Sequence, residues 1–413
     1  MNIWIFNHYA HPPDLPGGTR HYDLGRELVQ LGHNVTIFAT SFHHFTHRET
    51  RLGPSEKFKF EEVNGVKFVW VSTPPYQRND WRRVQNMIAF AVRVLRLGRR
   101  IKRRAHGIRR PDVVIGSSPH LFTPLAAYLV SKKHQVPFIM EVRDLWPQSL
   151  IDLGGYSERH LLIKTLQALE RFLYRQAQQI IVLGPQMKEY IDSYGIDQKK
   201  IIWIPSGVDI SRFDDFSVHK SPGKVFNAMY LSAHGQANAL DVLIQAAKII
   251  KDQGIRTIRF VLVGDGPEKH GLITLARELG LDNVEFRDPV PKREVPKTLH
   301  EADATIFVLQ DIPLYKYGIS PNKLFDYLGA RKPIVIAGRP ASNPVENARC
   351  GLTAPPQDPT ALADAIIRLY RMPLEDREAM GRRGREYVEK HHSIPLLAKR
   401  LERVLIHSLA INR

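Results

Sequence analysis

Gly318-Ile319-Ser320-Pro321-Asn322-Lys323-Leu324-Phe325-Asp326-Tyr327-Leu328-Gly329-Ala330, running into Arg331-Lys332-Pro333-Ile334-Val335-Ile336, reads as a helix followed directly by a buried strand. Proline is preorganised for a helix start, and the free N–H groups of the first turn attract anions. Lys323 adds a full charge beside them, and Asp326 follows one turn along the same face. A diphosphate at the helix start, with a sugar or ribose hydroxyl near the acid, suits this geometry. An ordinary α/β helix with a solvated lysine carries the same local pattern.

Working outward, strand-like apolar runs alternate with amphipathic stretches. In the first half Ile3 to Phe6 reads as a strand and Arg20 to Leu31 as a helix. Asn34 to Ala39, Val66 to Val71, Val113 to Ile115, Phe138 to Val142 and Ile180 to Leu183 read as further strands. The second half opens with a strand at Val225 to Leu231 and a helix at Leu240 to Lys251. Strands recur at Arg259 to Val263, Val284 to Phe286, Thr305 to Val308 and Pro333 to Ile336. This is an α/β pattern of two parallel, doubly wound sheets. The natural linker is Ile204-Pro205-Ser206-Gly207-Val208-Asp209, which gives domains of 1–203 and 204–392. Two open sheets facing each other leave a deep interdomain cleft, with functional residues in the loops that follow strands.

At 413 residues the chain exceeds what one core usually supports. A 43% hydrophobic and 24% charged composition is that of a soluble globular protein. The single cysteine, Cys350, excludes an intrachain disulfide framework and fits a reducing compartment. Met1-Asn2-Ile3-Trp4-Ile5-Phe6 has no basic segment ahead of its apolar residues, and no apolar run reaches the length of a membrane span, so a cytoplasmic location is expected. The net charge of +17 is uneven. Residues 1–206 hold 29 Lys and Arg against 17 Asp and Glu, so an anionic partner is expected for the first half.

Several loops carry residues suited to chemistry. Gly17-Gly18, ahead of a helix, lets backbone approach a ligand closely, but it lacks the three spaced glycines of a dinucleotide fingerprint. His120, after Gly116-Ser117-Ser118-Pro119, is placed to hold an acceptor hydroxyl or act as a base, or is structural. Glu141, Arg143 and Asp144 lie at the end of a buried strand, where charge is costly unless paired or functional. Arg143 and Asp144 either pair with each other or face an acceptor and a departing phosphate. In the second half, Val263-Gly264-Asp265-Gly266-Pro267-Glu268 is a tight strand-to-helix turn, and Ser232-Ala233-His234-Gly235-Gln236 is a second loop of small residues.

Taken together these segments resemble the retaining glycosyltransferases of family 4, which have the GT-B fold of two Rossmann-like domains. The resemblance spans nearly the whole chain and rests on Gly17-Gly18, the 204–209 linker, the 263–268 turn, and Pro321-Asn322-Lys323 with its helix. The segment Glu141-Val142-Arg143-Asp144-Leu145-Trp146-Pro147 looks most like the branch that builds bacterial O-antigen and capsule, including fucosamine transferases. The resemblance implies transfer from a nucleotide-diphosphate sugar, most often a UDP-sugar, with retained configuration and no essential metal or other cofactor. The chain contains no Asp-x-Asp. By the resemblance Lys323 binds the donor diphosphate with Pro321, Asn322 and the amides of Gly17 and Gly18. Asp326 takes the place of the second acid of the family's Glu-x7-Glu motif, Asp288 to Val290 hold the base, and His234 and Gly264 line the donor side. The resemblance also returns a final helix, about 393–413, to the first domain. Gly318 departs from the pattern where the first motif acid is expected, Asn238 where relatives place a lysine, Ala233 where they often have arginine, and Arg143 where many carry a histidine.

From Trp81 to Pro111 there are eleven Lys or Arg and no acid. Val84, Ile88, Ala91 and Leu95 recur at helical spacing, with Arg93, Arg96, Arg100 and Arg103 elsewhere around the helix. This is the layout of a helix lying on an anionic membrane surface, or of a core-packed helix with a solvated basic side. A lipid-linked saccharide acceptor on the inner face of the plasma membrane gives the arm a function. Nucleic-acid binding is not expected, because no recognition motif accompanies the charge. A nucleotide-sugar 2-epimerase and a non-catalytic protein binding anionic lipid or nucleic acid are the competing classes.

Overall fold

The computed structural model describes residues 1–101, 107–216 and 225–411. They divide into two compact units, one of Met1–Pro12, Gly18–Pro205 and the segment from Ile394 on, the other of Pro13–Gly17 and Ser206–Ser393.

Strands β1 (Asn2–Phe6), β2 (Asn34–Thr40), a small hairpin of β3 (Phe42–His43) and β4 (Arg48–Glu49), β5 (Phe58–Val63), β6 (Val66–Val71), β7 (Val113–Ser117), β8 (Phe138–Val142), β9 (Gln179–Val182) and β10 (Ile201–Trp203) belong to the first unit. Apart from the hairpin they form one sheet in the order β10-β9-β8-β7-β1-β2-β6-β5. All its pairings are parallel except β5 with β6. The central strands are apolar on both faces, because crossover helices cover each side of a parallel sheet. Ile3 and Ile5 point into a core completed by Leu24 and Leu28 of helix α1 (Arg20–Gln30) and by Leu397, Leu401 and Leu405 of the Ile394–Ile411 helix. Their neighbours Trp4 and Phe6 face the other way, as the two-residue period of a strand requires. Trp4 meets His134 of α3 (Phe122–His134) edge-on at 5.3 Å, and Gly98 of α2 (Trp81–Arg100) lies against Phe6.

The second unit carries β11 (Phe226–Leu231), β12 (Ile258–Val263), β13 (Val284–Arg287), β14 (Ala304–Val308), β15 (Ile334–Ala337) and β16 (Gly351–Ala354). They form an all-parallel sheet in the order β13-β12-β11-β14-β15-β16. One face packs on the Leu240–Asp252 and Pro359–Arg371 helices, through Leu243, Ile244, Leu362 and Ile366. The other packs on the Asn322–Gly329 and Val295–His300 helices through Leu324, Tyr327, Leu328 and Leu299. Of the residues singled out from the sequence, His120 follows β7, Arg143 and Asp144 follow β8, His234 follows β11 and Asp288 follows β13, whereas Glu141 lies within β8 and Lys323 and Asp326 lie on the Asn322–Gly329 helix. Among the described residues no helix is long and apolar enough to cross a membrane.

Candidate active site

In the second unit the sequence places a lysine on the first turn of a short helix, and the fold turns it inward. The Asn322–Gly329 helix starts after Pro321, and no side chain caps its first N–H groups. Lys323 is 8% exposed. Its ammonium donates to Asn238 Oδ1 at 2.5 Å and to Tyr230 Oη at 3.0 Å, and it sits over the rings of Tyr230 and Phe307 at 4.5 and 4.8 Å. Among the described residues no carboxylate pairs with it. Burial therefore pushes its pKa down to about 7. An ammonium desolvated without a counter-ion is a prepared anion site. Asn238, which departs from the family pattern, is the residue that orients it.

Asp326 lies one turn on, also buried, and its Oδ2 forms an ion pair with Lys292 Nζ. Lys292 was not singled out from the sequence, because a lysine after a strand reads as a solvated surface residue. Its backbone N–H donates to the Leu15 carbonyl at 3.1 Å, and that of Arg293 donates to Pro13 at 3.0 Å. The segment Pro13–Gly17 is thereby pinned within the second unit, while Gly18 belongs to the first.

Around this pair lie the remaining donor-side candidates. Gly264 follows β12, and a Cβ there would stand 1.9 Å from the Ser232 carbonyl oxygen, so only glycine fits. The His234 ring is fully buried with no partner at either nitrogen. Burial, with the charges of Lys269 and Lys323 adding to it, depresses its pKa to about 4, so the ring is neutral. Asp288 follows β13 on the surface and is held by Lys269 Nζ at 3.0 Å, and Val290 packs against the core. Gly318 has φ +84°, a conformation that strains any side chain, so backbone geometry accounts for glycine where the family has an acid.

In the first unit Glu141 and His120 are both buried beside partner side chains. Glu141, expected to do chemistry, accepts from Arg20 Nε at 2.9 Å and Ser117 Oγ at 2.6 Å, with His21 Nε2 2.5 Å from its second oxygen. Arg20 also donates to the carbonyls of Ile204 and Pro205. Burial alone would raise the Glu141 pKa, but His21 and Arg20 override it and hold the carboxyl well below its usual range. With both oxygens occupied it ties β8 to α1 and to the chain after β10, a structural role. His120 is 1% exposed, and its Nε2 lies 2.8 Å from His8 Nδ1. Burial and the Arg83 charge depress its pKa to about 3, so it is too weak a base to take a proton near neutrality.

Arg143 and Asp144 form no ion pair with each other. Ser118 Oγ accepts from both backbone N–H groups, at 2.8 and 3.4 Å, which holds the turn, and the Asp144 side chain is exposed.

Helix α2 has two apolar stripes where the sequence suggested one. Met87, Phe90, Ala91 and Val94 are buried, so Ala91 belongs to the core rather than to an outward face. Trp81, Val84, Ile88 and Val92 are exposed. Arg93 donates to the Ser72 carbonyl and to Ser72 Oγ at 2.8 Å, Arg96 and Arg100 are exposed, and Arg103 lies outside the described residues.

Comparison with known proteins agrees with this architecture. Residues 17–207 match the model of a glycosyl transferase 4-like domain, and residues 226–372 match that of the glycosyl transferases group 1. The chain belongs to the GT-B glycosyltransferases of the family 4 type. Among its relatives is WbjE of Pseudomonas aeruginosa, named as a glycosyltransferase, which is 22% identical over 69% of this chain and 72% of its own. WcaI of Escherichia coli, named for colanic acid biosynthesis, is 22% identical over 75% of this chain and 76% of its own. The structure of sucrose-phosphate synthase from Thermosynechococcus elongatus superposes with a TM-score of 0.74 at 16% identity, covering 99% of both chains. Anabaena Alr3699/HepE in complex with UDP and glucose superposes with a TM-score of 0.69 at 13% identity, over 98% of this chain and 99% of that one.

Proposed function

We propose that this glycosyltransferase moves a sugar from a UDP-sugar, with retained anomeric configuration and without a metal ion or other cofactor, to a lipid-linked saccharide of bacterial surface polysaccharide assembly. The observation that carries the donor side is Lys323, buried and without a carboxylate partner beside the uncapped start of a helix. A diphosphate supplies the missing charge. When the bond to the anomeric carbon breaks, negative charge grows on the departing phosphate, and a preorganised ammonium with helix N–H groups stabilises it more than it stabilises the intact donor. Asp326, held by Lys292, keeps one carboxylate oxygen for a ribose or sugar hydroxyl. Asp288 to Val290 offer backbone groups to the base. The complex of Anabaena Alr3699/HepE with UDP and glucose supports a donor of this class.

Retention follows from attack on the face the leaving group departs from, with the leaving phosphate taking the proton of the acceptor hydroxyl. This route asks for no protein base and agrees with the neutral, buried His120. Arg143 and Asp144, at the carboxyl end of β8, are the proposed contacts to the acceptor. The relative WcaI, named for colanic acid biosynthesis, supports a polysaccharide product. Arg96 and Arg100, exposed on α2, face anionic headgroups at the inner surface of the plasma membrane in this reading.

The donor reading is tested by thermal shift with UDP-, GDP-, ADP- and CMP-sugars at millimolar concentration, with Lys323→Ala as control. A UDP-sugar is expected to raise the midpoint of the wild type and leave the variant unmoved. Equal shifts in both proteins, or none with any donor, would remove the basis for the proposal.

A further inference from the structure

The strand order of the first sheet reverses at β1, with β2 on one side of it and β7, β8 and β9 on the other. Ligands of open parallel sheets bind beyond the carboxyl ends of the strands at such a point. His8 follows β1 and His120 follows β7, and their rings meet there at 2.8 Å between Nδ1 and Nε2. Tyr9 stacks on His8 and reaches His44 of the β3–β4 hairpin, and His44 Nδ1 meets the hydroxyl of Tyr76, after β6. Arg83, on the first turn of α2, brings its charge to bear on all five of these side chains.

The cluster holds one charge. Burial, with the Arg83 cation adding to it, depresses the pKa of His8, His44 and His120, so all three imidazoles are neutral. Burial raises the pKa of Tyr9 and Tyr76, so both phenols keep their protons. Among the described residues no carboxylate pairs with Arg83. Its Nη1 donates to Asn79 Oδ1 at 2.8 Å at the surface, and its Nε is buried without a partner, as is His120 Nδ1. Buried polar atoms normally have partners, so open ones gathered beside an uncompensated cation mark a ligand site.

The anion that fits is a planar monoanion. Helix α2 starts at Asp80, whose carboxylate accepts from the Arg82 N–H at 2.9 Å, so an acid rather than free N–H groups stands at its start. A phosphate dianion meets that acid with one guanidinium to offset it, whereas a carboxylate matches the guanidinium fork. Tyr9 and His44, half-buried with rings 5.0 Å apart, offer aromatic surface to the C–H face of a sugar ring. We propose that this cluster binds a hexuronate residue of the acceptor, with the carboxylate on Arg83 and the pyranose ring against Tyr9 and His44. That the sugar belongs to an acceptor rests on the transferase reading above, whereas affinity for the hexuronate does not. Arg143, at the acceptor in that reading, donates its backbone N–H to Ser118 Oγ on the loop that carries His120, so the two contacts adjoin.

Saturation-transfer NMR on the full chain tests this. The probes are the methyl glycosides of glucuronate, galacturonate and mannuronate, with those of glucose, galactose and mannose as neutral counterparts. At least one uronoside is expected to bind at millimolar concentration, and its neutral counterpart to bind at least about tenfold more weakly. Arg83→Gln should bring the uronoside down to the affinity of its neutral counterpart. Arg83→Lys, which keeps the charge and loses the fork, should fall between. Neither variant breaks an ion pair, so both are expected to keep the wild-type melting temperature. In the wild type alone, no uronoside binding, or equal affinity for a uronoside and its neutral counterpart, would overturn the proposal. So would unchanged uronoside affinity in folded Arg83→Gln. Glucose 6-phosphate binding more tightly than every uronoside would also overturn it, by making phosphate the ligand. Uronoside binding in a protein that binds no nucleotide-sugar would leave the site standing and refute the transferase reading alone.

Discussion

Donor affinity should depend on pH through one buried lysine. In the empty protein the Lys323 pKa is pushed down to about 7 by burial, so the side chain is largely neutral above that pH. A bound diphosphate stabilises the ammonium and raises this pKa, so binding above pH 7 takes up a proton. Between pH 5.5 and 6.5 the lysine is already charged and affinity should be nearly flat. Above pH 7 the apparent Kd of a nucleotide-sugar should rise about tenfold per pH unit, or about 1.4 kcal/mol for each, until the pKa of the complex is reached. Isothermal titration calorimetry at pH 6, 7, 8 and 9, in paired buffers of different ionisation enthalpy, reads both affinity and proton uptake. Uptake should approach one proton at pH 8. Lys323→Arg, always charged, should abolish the slope, and Lys323→Met should abolish binding. An affinity constant from pH 6 to 9 with no proton uptake would refute this reasoning.

Three further outcomes follow from the buried charges and the backbone. Glu141→Gln leaves the Arg20 guanidinium buried without its counter-ion and should cost about 3–5 kcal/mol in urea unfolding of the full chain; a loss below about 1 kcal/mol would mean the network is not structural. Glu170 is fully buried between Tyr174 Oη at 2.7 Å and Tyr190 Oη at 3.1 Å, and burial raises its pKa to about 7. The folded state then holds a proton that the unfolded chain releases near pH 4.5, so this group's contribution is greatest in acid and falls, by about 3 kcal/mol, as pH rises through 7. Glu170→Gln should flatten that part of the stability profile, and an unchanged profile would contradict the assignment. Gly318→Ala forces a side chain into the left-handed region and should cost about 1 kcal/mol with donor affinity lowered, read by melting temperature and calorimetry.

Much of the fold was legible because central parallel strands bury both faces, and runs such as Ile3 to Phe6 or Arg259 to Val263 have no other reading. What escaped was the periphery. Phe58–Val63 is an edge strand with charge at Lys59, Glu61 and Glu62, half exposed, and its sequence resembles a loop. On α2 the spacing of apolar residues was visible, but spacing alone cannot say which of two stripes faces the protein, so Ala91 was set beside Val84 and Ile88. Lys323 and Gly264 could be singled out because each stands in a distinctive backbone context of its own, a helix start and a tight strand-to-helix turn. Partners from distant segments were illegible: Lys292 lies 34 residues before Asp326, and His8 lies 112 residues before His120. Glu141 misled for the same reason, since its compensating charge is Arg20, on a helix the local sequence does not mention.

The measurement that bears most directly on the central claim is transfer itself. The full chain is incubated with UDP-sugars labelled with carbon-13 at the anomeric position and with polyprenyl-diphosphate saccharides extracted from bacterial membranes, and the organic-soluble product is examined by the anomeric carbon–proton coupling. The account predicts label in the lipid fraction with the donor's anomeric configuration preserved, and none with Lys323→Met. Label in the lipid fraction with inverted configuration, or epimerised nucleotide sugar in place of any lipid product, would contradict it.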